Sequence, residues 1–84
     1  MEALDGNAIA GALNAAFGHE MTMARGTCAT CGTTSLLAEL RVFLRAPGKV
    51  ARCPACGEVS IVLVERRGVV SVDLLGLAAL STEV

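Results

Sequence analysis

The 84-residue chain has no tryptophan and no tyrosine, and two phenylalanines are its whole aromatic content. Its interior must therefore be built from Val, Leu, Ile and Ala, with Phe17 and Phe43 as the only rings available to it. An excess of either charge is also missing, since seven Lys and Arg stand against eight Asp and Glu for a formal net charge of −1. A phosphate-backbone binder is expected to carry a basic surplus, and none is present. The single histidine, His19, has no neighbouring carboxylate and nucleophile with which to form a catalytic set. A cation just past a helix end interacts well with the helix dipole, which accounts for it. No basic residue precedes Arg25, and the uncharged stretch from Gly6 to Gly18 is too short to cross a bilayer. Neither an export leader nor a spanning helix is expected from such a pattern.

What the chain does have is four cysteines, all of them in two pairs: Cys28-Ala-Thr-Cys31-Gly32 and Cys53-Pro54-Ala55-Cys56-Gly57. A Cys-x-x-Cys turn aims two sulfurs at one point, and two such turns complete a tetrahedron of thiolates, the closed coordination of structural zinc. Twenty-one residues lie between Cys31 and Cys53, about one more than the usual upper spacing of such sites, and a two-stranded hairpin fits that interval. Gly32 and Gly57 each follow the second cysteine of a pair, where the chain must turn back and present N–H groups to sulfur. Arg25, Lys49 and Arg52 lie near the pairs in sequence and can offset the charge of the site or simply be solvated surface. One divalent ion on four thiolates would bring the net charge to about −3. Iron is the rival metal, because rubredoxins share the pattern at the two turns. They pack an aromatic core that this composition lacks, so one zinc on Cys28, Cys31, Cys53 and Cys56 is expected. Four protein ligands leave no open position for a catalytic water.

A chain this short has a limited core and commonly needs a staple, which the metal would supply. One domain over residues 1–84 is expected, of small α+β class. Residues 4–18 read as a helix, since Ile9, Leu13 and Phe17 recur every four positions. Asp5 is the expected N-cap, Leu4 a hydrophobic staple onto Ile9, and Gly18 the left-handed stop. Gly11, inside the helix, suggests a close backbone contact. Residues 20–75 form the β core. Within it Met21 and Met23 read as inward-facing strand residues, and Ser35 to Arg45 as one long strand burying Leu36, Ala38, Leu40, Val42 and Leu44. Ala46-Pro47-Gly48 is a turn, Lys49 to Arg52 a return strand, and Val59 to Arg66 with Val69 to Leu75 a second hairpin closed by Arg67-Gly68. The tail, 76–84, has little pattern, although Leu77 to Leu80 fits a helical turn.

Two cysteine turns joined through antiparallel strands resemble the zinc-ribbon superfamily. The chain also resembles a family of small bacterial proteins of unknown function. Leu4-Asp5-Gly6-Asn7, Cys28-x-x-Cys31-Gly32, Ala46-Pro47-Gly48 and Ala51-Arg52-Cys53-Pro54-x-Cys56 carry that second likeness. The resemblance implies a zinc ribbon of antiparallel hairpins with rubredoxin-like knuckles and an N-terminal helix, and it implies no activity.

The functional expectation is a non-enzymatic structural-zinc protein in a reducing cytosol, where paired thiols bind metal rather than form disulfides. At 54% hydrophobic residues and a mean hydropathy of +0.62, an apolar face left for a protein partner or a second copy is expected. No membrane association and no small-molecule substrate are expected. A nucleic-acid ribbon is the alternative, requiring Arg41, Arg45, Lys49 and Arg52 to share a face, and it is disfavoured because no exposed aromatic is expected for base stacking. A redox or metal-responsive switch, ejecting the ion on cysteine oxidation, is a further alternative.

Overall fold

A computed structural model describes residues 4–18, 20–45 and 48–81. The chain begins with a 3-10 turn, Gly6–Ile9, that runs into helix α1, Ala10–Phe17. Asp5 caps the turn by accepting from the Asn7 N–H at 3.1 Å, and Gly18 ends the helix at φ 78° with its N–H on the Asn14 carbonyl at 2.7 Å. Ile9 and Leu13 are fully buried and Phe17 packs against the same core, as the four-residue spacing predicts. Leu4 is 44% exposed. It is bridged to Val42, donating to and accepting from that residue, so the helical segment starts later than the pattern suggests. His19 lies outside the described residues.

Seven strands follow among the described residues: β1 Arg25–Cys28, β2 Thr34–Leu36, β3 Arg41–Arg45, β4 Gly48–Arg52, β5 Val59–Arg66, β6 Val69–Asp73 and β7 Leu77–Ser81. They form two antiparallel sheets, ordered β2-β1-β7 and β3-β4-β5-β6. Both expected hairpins of the larger sheet form. Arg67 at φ 51° and Gly68 at φ 79° make the two-residue turn between β5 and β6, while Ala46 and Pro47 of the other turn lie outside the described residues. A single apolar cluster joins Ile9 and Leu13 of the helical segment to Met21, Leu37, Leu40, Val42, Ala51, Ile61 and Leu63.

The long strand expected over Ser35 to Arg45 is broken. A 3-10 turn at Leu37–Glu39 separates β2 from β3, which belong to different sheets. Leu37 and Leu40, three residues apart, are both buried, whereas Leu44 is 46% exposed. Alternation and the three-residue spacing of a tight turn coexist in this run of apolar residues, and the need to cross between sheets decides for the turn. The Glu39 carboxylate accepts from the Leu36 N–H at 2.8 Å and fixes the crossing. Met21 is buried but in a bend rather than a strand, and Met23 is 66% exposed. The Glu20 carboxylate holds that bend by accepting from the N–H and hydroxyl of Thr22, which keeps the Glu20 carboxyl below its ordinary pKa. The close backbone contact sought at Gly11 is instead at Gly6, where a Cβ would stand 1.7 Å from the Leu37 carbonyl oxygen. Residues 77–81, read as unpatterned with a helical turn, are strand β7 on the free edge of β1.

Candidate metal centre

Cys28 ends β1 and Cys53 follows β4 directly, so each sheet delivers one cysteine turn to the same place. The two turns repeat one hydrogen-bond pattern. In the first, the Cys28 N–H donates to the Thr33 carbonyl at 2.9 Å and the Gly32 N–H to the Cys28 carbonyl at 2.9 Å. In the second, the Cys53 N–H donates to the Glu58 carbonyl at 2.8 Å and the Gly57 N–H to the Cys53 carbonyl at 2.9 Å. Gly32 at φ 77° and Gly57 at φ 80° supply the left-handed residue that lets each turn close. The glycine after each pair is thus a geometric requirement of the knuckle.

All four sulfurs lie within 4.8 Å of one another. Across the knuckles, Cys28 Sγ is 3.6 Å from Cys56 Sγ and Cys31 Sγ is 3.7 Å from Cys53 Sγ. Sulfurs bound tetrahedrally at ~2.3 Å from a zinc ion are ~3.8 Å apart, so the cluster has the dimensions of a four-thiolate site. Cys28, Cys31, Cys53 and Cys56 could together hold a metal ion, as their sequence spacing predicts. A family model described as a family of unknown function, DUF6510, matches residues 1–84. The chain belongs to that family. No curated protein and no solved structure matches it.

In this DUF6510 member, Cys28 and Cys53 are buried while Cys31 and Cys56 face solvent. Their surroundings divide the thiols by charge. The Cys31 thiol, 3.3 Å from the Thr33 hydroxyl, is drawn down to about 6 by that contact and the Thr33 N–H. Backbone N–H groups of Cys31 and Thr30 lower Cys28. Although the Glu58 N–H acts to lower Cys56, partial desolvation beside the other sulfurs and the neighbouring thiols themselves outweigh it and push that group up to about 12. Four sulfurs this close cannot all carry charge unaided, and a cation at their centre is the group that would let them.

Supports that the spacing did not reveal come from elsewhere in the chain. The Ala29 N–H of the first knuckle donates to the Gly76 carbonyl at 2.9 Å, at the start of β7, and Cys28 pairs with Leu77. Gly76 lies so close to β5 that a Cβ would be 1.9 Å from the Val59 carbonyl oxygen. The second knuckle is braced by Arg52, whose Nη1 donates to the Gly57 carbonyl at 2.9 Å. Of the cations near the pairs in sequence, Arg52 alone is seen to touch a knuckle, and it does so through backbone. Lys49 is paired with Glu65 at 3.1 Å, and Arg25 is exposed.

The supposed nucleic-acid cluster is divided by the pleat. Val42, Ala51, Ile61 and Leu63 define the inner face of the larger sheet, against which the helical segment packs. Arg41, Phe43, Val50, Arg52, Val62, Val64 and Arg66 alternate with them and mark the outer face, while Lys49 shares the inner side with its Glu65 partner. The side chain of Arg45 lies outside the described residues. Phe43, one of the two rings available to the core, is only partly buried on that outer face, where the alternation about Val42 puts it, with the Arg52 guanidinium 5.9 Å from its ring centre. No helix among the described residues is long and apolar enough to cross a membrane.

Proposed function

We propose that this protein is a non-enzymatic interaction module whose fold is clamped by one structural zinc ion on Cys28, Cys31, Cys53 and Cys56. The observation that carries the reading is the sulfur spacing, 3.6 and 3.7 Å across knuckles that hang from two different sheets. An ion there ties the sheets together through the loops that join β1 to β2 and β4 to β5. Zinc is favoured because four thiolates suit its tetrahedral preference, and because a chain without Trp or Tyr lacks the aromatic packing of rubredoxins. The repeated knuckle at the ends of antiparallel strands supports a zinc-ribbon relationship. Closed coordination leaves the metal no vacant position at which to bind substrate or activate water, which is why no catalytic role is assigned to it. Free thiolates as ligands suit a reducing compartment such as the cytosol.

Elemental analysis of the protein as purified tests the assignment. One zinc per chain, lost when Cys53 is replaced by Ser, is the expected result. Iron in its place, or a metal-free protein with a complete set of free thiols, overturns it.

A further inference from the structure

The interaction module needs a surface, and the outer face of the β3-β4-β5-β6 sheet is chemically unlike the rest of the molecule. The chain as a whole is acidic, with formal net charge −1. Yet Arg41, Arg52 and Arg66 all occupy outward register positions of that one sheet, and Arg67 stands in the turn at its end. The described acids at outward positions reduce to Asp73, paired with Val62, because Glu65 alternates to the other side, where it neutralises Lys49. Between the arginines lies Phe43, flanked across the strands by Val50 and then Val62. Arg52 is not a loose side chain here. Its guanidinium is held over Phe43 at 5.9 Å by the bond from Nη1 to the Gly57 carbonyl of the second knuckle.

We propose that this face binds single-stranded nucleic acid. Unstacked bases pack on aromatic rings and on guanidinium planes, and the Phe43–Arg52 pair offers such a platform already positioned. Arg41 on one side of the platform and Arg66 with Arg67 on the other lie about 20 Å apart along the strands, a span that tracks the phosphates of a short strand. Duplex is not the fit, since the broad face of a four-stranded sheet with one stacking site presents neither a helix nor a ribbon to a groove. A second copy of the chain is disfavoured by charge, because stacking this face on itself sets arginines against arginines, with Asp73 the one described acid at an outward strand position to oppose them.

The inference rests on the zinc-clamped reading, since the knuckle holds Arg52. Metal content is therefore measured on every sample, so that loss of the ion and loss of binding are scored separately. The experiment is anisotropy of labelled oligo(U) and oligo(dT) of about ten nucleotides with metal-loaded protein, starting at about 20 mM salt. Binding that weakens with salt at a log–log slope of about −2 is expected, for about three phosphate contacts. Phe43→Leu should weaken it by about 5- to 100-fold with the slope unchanged. Arg41→Gln, an exposed change that touches neither the core nor a knuckle, should reduce the slope by about 0.7. Preference for oligo(U) would mark RNA and its 2′-hydroxyls as the ligand, and equal binding would mark either strand. Absence of binding by metal-loaded protein at the lowest salt overturns the proposal, as does binding indifferent to both substitutions. So does a dimer dispersed by Val62→Glu in a protein that ignores both oligomers, which would make this face a protein interface.

Discussion

Two glycines should respond to the same substitution with opposite signs. Gly6 admits no side chain, because a Cβ there would meet the Leu37 carbonyl oxygen at 1.7 Å, within the contact that seats the helical segment on the crossing turn. Gly6→Ala should therefore destabilise the protein by about 2 kcal/mol or more. Gly11 has nothing within 4 Å of its Cβ position and lies exposed inside α1, so Gly11→Ala should stabilise by about 1 kcal/mol. Denaturant melts of metal-loaded samples read both, and a loss of stability in each would contradict this account of the helix. From the sequence alone the helix, its Asp5 cap and its Gly18 stop were legible, since capping is chemistry between near neighbours. Which glycine is pressed against another segment was not, because Leu37 is thirty-one positions from Gly6 and nothing local signals their meeting.

Among the elements, β7 changes the picture of the metal centre most. Without it β1, which carries Cys28, would be a strand paired on one side only, and the Ala29 N–H would lose the Gly76 carbonyl. Gly76→Ala places a Cβ 1.9 Å from the Val59 carbonyl oxygen and must push the start of β7 off β5. Groups that hold metal ligands in place typically affect affinity by about 10- to 100-fold when lost, and zinc affinity measured against a competing chelator should fall by that order. An unchanged affinity would mean that β7 is an ornament to the site. The sequence hid this strand because Leu77-Ala78-Ala79-Leu80 has neither alternation nor β-branched residues, and its place is set by partners some fifty positions earlier. The hairpin of β5 and β6, by contrast, was readable from Val-rich runs about Arg67-Gly68, where the turn residues and the strands agree.

At the scale of the whole molecule, the proposed reading is that the aliphatic core and a bound metal share the work of folding. The core is a single cluster of modest residues, with Met21, Ile9, Leu13 and Leu37 among its largest buried members and no ring fully inside it. Structural zinc contributes about 10 to 16 kcal/mol in small peptide systems, against a total stability of about 5 to 15 kcal/mol for a typical domain. The gathering of the four cysteines was legible from spacing because the geometry of each short turn is set locally. Alternation about Val42 already set Arg41 and Phe43 on the other side of their strand, but the meeting of Phe43 with Arg52 was not legible, since it depends on register between strands. The same register that buries Val42 and Ala51 turns Phe43 and Arg52 outward together.

Zinc titration into chelator-stripped, reduced protein, followed by circular dichroism and thermal melting, tests the dependence of this fold on its ion most directly. The folded signal should rise in proportion to added zinc and saturate at one ion for the four cysteines, with a cooperative melt only in the loaded form. A stripped protein that keeps the loaded protein's spectrum and its cooperative melt would contradict the account.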